Sequence, residues 1–224
     1  MEQPTGAQPV DTAPTGKRAA KKAHNRAALI EAARELMIRD GYRDTLLDAV
    51  AERVGLTKGA IYSIFGGKGQ LLGALIEAGA VDVGWPALDE FVDRSLDLED
   101  QAATIAAEWA RLSGLRVPLS AHAFALEVAS LTLRDPELFD AQAERMTLHV
   151  TELSDIFEDR TAPSGAIVTR TGADVFAGAF AALMQGLSQR AFNNPSERST
   201  AVFVNAAIAL CRIVDQTPGG TEIP

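Results

Sequence analysis

The stretch from Leu56 to Leu72, "LTKGAIYSIFGGKGQLL", gathers residue types that can hold a polyanion. Lys58 and Lys68 supply positive charge, and Thr57, Tyr62 and Ser63 supply hydroxyl donors. Gly59 and Ala60 keep the surface low enough for a backbone to approach closely. Four of the chain's 18 glycines fall here. Glycine inside a helix costs roughly 1 kcal/mol against alanine, so this concentration predicts the ends of short helices, not the interior of a long one. Thr57 predicts the cap of a helix ending near Phe65; Gly66 and Gly67 break it, and Leu71, Leu72, Leu75 and Ile76 begin the next. Upstream, Thr45 and Asp48 have capping-box spacing for a helix carrying Leu46, Ala49, Val50 and Val54, which Gly55 ends. Two helices joined through a glycine turn have helix-turn-helix spacing. The second, at about nine residues, is roughly 13 Å long, and a major groove about 12 Å wide admits it. In that arrangement Thr57, Lys58 and Tyr62 hydrogen-bond phosphates while Ile61 and Phe65 pack inward. Lys68 opens a helix whose free N–H groups also attract an anion. On spacing and charge alone, a generic helical hairpin is the equal alternative.

Other chemistry is sparse. His122 with Glu127, or His149 with Glu152, could form an acid/base pair, but neither has the H-E-x-x-H spacing of a metal-binding helix. There is no nucleophile elbow and no second phosphate-binding glycine loop, so a helical enzyme using His122/Glu127 or His149 is the remote reading. No enzyme activity, cofactor or metal is expected. The single cysteine, Cys211, excludes an internal disulfide framework. Trp109, Phe124, Phe139, Met146, Phe176, Phe180 and Met184 either line an apolar cavity or are plain core. His122, Glu127 and His149 are the polar candidates inside it, because a buried polar group needs a partner.

The elements that must position these residues are helical. The 224 residues are 47% apolar and 23% charged, enough for a sizeable core in one or two domains. Net charge is −9, but Lys17–Ala80 carries +4 and Val81 onward −11. An acidic body repels a polyanion, so nucleic acid is expected at the N-terminal end alone. Residues 1–22 read as a disordered, then basic, arm whose Lys21 and Lys22 either reach DNA or are simply solvated. Leu29, Ile30, Ala33, Leu36 and Met37 follow the spacing of an amphipathic helix that Gly41 ends. Helices are expected over 86–95, 99–113, 119–134, 136–159, 169–192 and 196–215. Asp135-Pro136-Glu137 is a start signal, and 160–167 a loop. The class is all-α, with about nine to ten helices. The organisation expected is a helix-turn-helix domain over 23–70, a helical ligand-binding and dimerisation domain over 71–217, and a tail over 218–224. Segments 169–192 and 196–215 are apolar on more than one face, which predicts burial on two sides. Phe176, Phe180, Leu183, Leu187, Val202, Phe203, Ala206 and Leu210 are the expected contacts of a four-helix homodimer interface. No apolar run is long enough to span a membrane and no secretory leader is evident, so the cytoplasm is the expected compartment.

The run "RAALIEAARELMIRDGYRDTLLDAVAERVGLTKGAIYSIFGGKGQLLGALIE", Arg26 to Glu77, resembles the N-terminal domain of the TetR-type transcriptional repressors. It has the alanine-rich first helix, the Gly-Tyr turn, the threonine opening helix two, Ala51 and Gly55, Gly59, the Ile-Tyr-x-x-Phe core, and Lys68 followed by Leu71-Leu72. The resemblance covers about a quarter of the chain. It implies a bacterial homodimer that binds double-stranded DNA at a palindromic operator and is released by a small, mainly apolar effector. It further implies phosphate contacts from Thr57, Lys58, Tyr62 and Lys68, a groove-facing Gly59, Ala60 and Ser63, and a Thr45 that caps helix two and reaches a phosphate. An activator or a nucleoid-type DNA binder with the same fold is the alternative. Two positions depart from the family pattern. Ile64 stands where a polar residue is common and Gly69 where an acid is common, which predicts a weaker start to helix four.

Overall fold

The computed structural model describes residues 13–82, 85–86, 88–114, 119–194 and 199–215. Within them lie nine α-helices: α1 (Ala13–Asp40), α2 (Leu47–Arg53), α3 (Lys58–Phe65), α4 (Lys68–Glu77), α5 (Leu98–Gly114), α6 (Leu119–Thr132), α7 (Pro136–Phe157), α8 (Arg170–Asn193) and α9 (Thr200–Asp215). A single 3-10 turn, Leu88–Phe91, precedes α5. Among the described residues the one strand-type pairing is an isolated bridge, Thr161 with Ile167, inside the expected loop. The chain divides into two compact units, Met1–Ala80 and Val81–Pro224.

In the first unit α1 buries Leu29, Ile30, Ala33, Leu36 and Met37. α4 buries Leu71, Leu72, Leu75 and Ile76 and packs on α1 and α3. That packing carries the unit to Ala80, ten residues beyond the expected boundary at 70. The face of α2 is shifted by one residue from the expected one: Leu47, Val50 and Ala51 are buried, while Leu46 is exposed and Ala49 lies outside. Thr45 does not cap α2. Leu46 holds the cap position without a side-chain bond, and the Thr45 hydroxyl donates back to the Gly41 carbonyl at 2.7 Å. The first helix also starts earlier than expected. Residues 13–22 belong to α1, as suits a segment with three alanines and three lysines; residues 1–12 lie outside the described set, as does the tail 218–224.

In the second unit α5 packs along α9, and α7 along α8. Trp109, Phe157, Phe176, Phe180 and Phe203 form its centre, with Phe157 edge-on to Phe176 at 4.8 Å. Asp135 caps α7 as expected, accepting from the N–H groups of Glu137 and Leu138. The helix expected over 86–95 is only the 3-10 turn. Asp93 folds its carboxylate onto the Ser95 N–H, and buried Gln101 bonds both the Asp93 N–H and the Phe91 carbonyl. Such local bonds compete with a helix. Arg160 is buried, and its guanidinium donates to the carbonyls of Asp93, Leu96 and Ile156, tying this turn to the end of α7. Burial pushes the Cys211 thiol up to about 12, which leaves it unreactive at neutral pH.

Candidate functional site

α2 and α3 are joined by a turn in which Gly55 has φ 68°, a left-handed conformation that side chains disfavour. α3 is eight residues long and stops at Gly66, also left-handed with φ 96°. Ile61 is fully buried and anchors α3, while Ile64 and Phe65 are half-buried beside it. Thr57, Lys58, Gly59, Tyr62 and Ser63 lie outside, and Ala60 is half-buried. Tyr62 is 51% exposed, a large hydroxyl-bearing ring turned to solvent. A Cβ added at Gly59 would meet only the Thr57 hydroxyl, at 3.7 Å, so nothing in the chain itself demands glycine there. α4 begins at Gly67 with no side-chain cap and no acid in its first turn, as the departure at Gly69 predicts.

Two of the expected cations have partners inside the unit. Lys58 Nζ is 2.9 Å from an Asp48 carboxylate oxygen, and that contact raises its pKa. Lys68 Nζ donates to the Arg43 carbonyl at 3.0 Å and lies 4.8 Å from the centre of the Tyr42 ring. Lys68 therefore braces the turn after α1. Thr45 is buried, at 2% exposed, with its hydroxyl on the Gly41 carbonyl. Lys21 and Lys22 are exposed on the first turns of α1, in a stretch with no acid before Glu31.

The second unit holds a cavity of about 250 Å³ lined by Val81, Asp82, Trp85, Trp109, His122, Ala125, Leu126, Gln142, Met146, His149, Gln185, Ser188 and Gln189. It brings together Trp109, His122, Met146 and His149 of the expected set. Phe124, Phe176, Phe180 and Met184 are buried in plain core, Glu127 does not line the cavity, and Phe139 is 53% exposed. Seven of the thirteen lining residues are polar or charged, against the mainly apolar lining expected. Asp82 is the centre of the polar side. Its Oδ2 accepts from Arg145 Nε at 2.7 Å and lies 3.1 Å from His149 Nε2. Burial pushes the Asp82 carboxyl up, but contacts from His149 and Arg145 outweigh it and hold the group below the usual carboxylate range. The His149 ring stacks on Trp85 at 3.8 Å, and Trp85 meets Trp109 edge-on at 4.7 Å. Sequence reasoning missed Asp82 and Trp85 because they sit in an irregular segment without periodicity. Gln185, Ser188 and Gln189 were legible: polar residues three and four apart on an otherwise apolar α8 mark a wetted stripe.

Of the expected dimer contacts, Phe176, Phe180 and Phe203 are buried in their own unit's core and present nothing outward. Leu183, Leu187, Ala206 and Leu210 are half-buried, and Val202 is exposed. The outward face carries Val175, Ala182 and Gly186 on α8, and Val202, Ala209 and Ile213 on α9.

Residues 29–75 match the profile of the bacterial regulatory proteins of the tetR family. The HTH-type transcriptional regulator SrpR of Pseudomonas putida is 38% identical over 60 residues, 27% of this chain. That match spans 28% of SrpR's own length. GusR of Salmonella enterica shares the fold, with a TM-score of 0.60 at 18% identity over 84% of this chain and 94% of its own. So does the multidrug binding protein EbrR, solved in complex with proflavin, with a TM-score of 0.55 at 17% identity over 83% of this chain and 98% of its own. With its glycine turn and short exposed α3, the first unit carries a helix-turn-helix that matches, over residues 29–75, the profile of the tetR family of bacterial regulatory proteins.

Proposed function

We propose that the protein is a ligand-responsive transcriptional repressor, cytoplasmic and homodimeric, that sits on a palindromic operator and leaves it when a small effector fills the cavity of the second unit. The observation that carries this reading is the outer face of α3. Thr57, Lys58, Gly59, Tyr62 and Ser63 form an exposed, hydroxyl-bearing strip on a helix held from behind by Ile61. Phosphate contacts come from Thr57, Lys58 and Tyr62, and from Lys21 and Lys22 on α1. Few long polar side chains reach the bases, so DNA shape carries much of the specificity. The outward apolar faces of α8 and α9 support a dimer, through Val175, Val202 and Ile213 where the sequence pointed to buried phenylalanines. EbrR's complex with proflavin supports a small-molecule role for a body of this fold.

The test is fluorescence anisotropy of the full chain on DNA flanking its own gene, across a salt series. Tight binding to one site, falling steeply with salt and weakened about tenfold by Tyr62→Ala, is the expected result. Affinity equal to that for random DNA overturns the reading. Many weak sites in place of one would favour the nucleoid-type alternative.

A further inference from the structure

The lining of the cavity specifies a chemistry that the tetR resemblance does not. The carboxylate of Asp82 is the only carboxylate, and no lysine or arginine lines the space among the described residues. An anionic ligand has no counter-charge there. A cation gains little either, because Arg145, 2.7 Å from Asp82, already balances that carboxylate. The walls nevertheless have unused hydrogen-bonding capacity. Every side-chain contact of Asp82 falls on Oδ2, which leaves Oδ1 as an acceptor. Trp85 Nε1–H is buried with no partner. His149 is 1% exposed, and Nδ1 of its ring is likewise buried with no partner. Buried groups of this kind are stabilised by a hydrogen-bond partner. Gln142, Gln185 and Gln189 add side-chain amides, each able to donate and accept. The apolar lining combines aromatic rings, the Trp85–His149 stack and Trp109 at right angles to Trp85, with Val81, Ala125, Leu126 and Met146. A space of about 250 Å³ is that of about eight waters at roughly 30 Å³ each.

We propose that this cavity binds an uncharged, planar heteroaromatic molecule of one or two rings with a lactam-type edge, an N–H donor beside a C=O acceptor. The N–H meets Asp82 Oδ1 and the carbonyl takes the Trp85 indole N–H, once that ring has turned from its stack on His149. The glutamine amides read the rest of the perimeter. This deepens the proposal that the second unit receives a small molecule, and rests on it.

The chain contains two tryptophans, and both line the cavity, so its emission reports the site directly. The experiment titrates the full chain with hypoxanthine and quinazoline-2,4-dione, against 1,3-dimethylquinazoline-2,4-dione, naphthalene, proflavin and 2-naphthoate. Absorbance-corrected tryptophan quenching and calorimetry are the readouts. Saturable binding of the two lactams is expected, at least about tenfold tighter than of the dimethyl compound, which keeps the ring and the carbonyls but lacks N–H. Asp82→Asn and Trp85→Phe should each weaken it by about tenfold; the second keeps an aromatic wall and Trp109 as reporter, so it stays informative if the first folds poorly. Equal or tighter binding of proflavin, 2-naphthoate or naphthalene overturns the assignment, as does no binding by either lactam. Operator anisotropy run alongside separates the two readings. A lactam that binds without changing DNA affinity keeps this inference and sinks effector control; intact operator binding with an empty cavity sinks this inference alone.

Discussion

The two units use their polar residues in opposite directions. In residues 13–80, Thr57, Lys58, Tyr62 and Ser63 lie on the outside at and along one eight-residue helix, with apolar side chains behind them. In residues 81–215 the distinctive polar groups line a cavity: Asp82 and His149 from within the unit, with Gln142 half-buried and Gln185 and Gln189 exposed beside them. The first arrangement is local: the left-handed Gly55 and Gly66 and the i, i+4 pair Ile61 and Phe65 define it. The second is assembled from residues more than a hundred positions apart, Asp82 to Gln189. Short-range pattern therefore reads the first unit well and the second poorly.

The contrast can be broken by substitutions that should affect one unit and spare the other. The largest effect is expected for Phe180→Ala, which removes the ring on which Trp109, Phe157 and Phe176 pack. It should cost roughly 3–5 kcal/mol in urea unfolding followed by tryptophan emission. The protein that remains folded should still bind DNA at full affinity. Tyr62→Ala should do the converse: about a tenfold loss of operator affinity, or 1.4 kcal/mol, with an unchanged unfolding midpoint. Lys58→Ala should lower the salt dependence of binding by about one unit of slope. If either α3 substitution destabilised the chain instead, the outer face of α3 would be structural and the contrast would fall.

Asp82 gives a subtler test. Its folded pKa lies below the unfolded one, so the stability it contributes is present above the unfolded value and is lost as pH falls through the folded value. Urea midpoints should decline as the solution is acidified below the ordinary carboxylate range. In Asp82→Asn the midpoint should be lower at neutral pH and the acid decline shallower. An equally steep decline in the variant would assign it to other carboxylates. The smallest effect is expected for Asp48→Ala. Its ion pair with Lys58 is exposed, so stability should move by less than about 1 kcal/mol. Freed from that partner, Lys58 should bind DNA a few-fold more tightly, because the phosphate no longer competes with an internal acid.

Much of this was legible. Leu29, Ile30, Ala33, Leu36 and Met37 gave α1 its buried face by spacing alone, and Asp135-Pro136 gave α7 its start. Thr45 misled because the same hydroxyl that can cap a helix can also bond backward, here to Gly41. The one-residue slip on α2, Leu47 inward and Leu46 outward, is invisible to a periodicity in which neighbours differ by about 100°. The phenylalanines of α8 were rightly read as buried, but burial alone does not say against what. The cavity's carboxylate eluded reading because Asp82 acquires its role only when Arg145 and His149 arrive from α7.

Arg160 has a consequence for how the chain can be handled. By gripping three carbonyls it fastens the base of the 160–168 loop, and the Thr161–Ile167 bridge closes the loop above. What projects, Pro163 to Ala166, is exposed and touches none of the aromatic core. Extra chain inserted there has only loop entropy to overcome, which grows slowly with length. The tip is thus a natural splice point: a fluorescent module could be carried between Ser164 and Gly165 while the helices on either side stay anchored at its root.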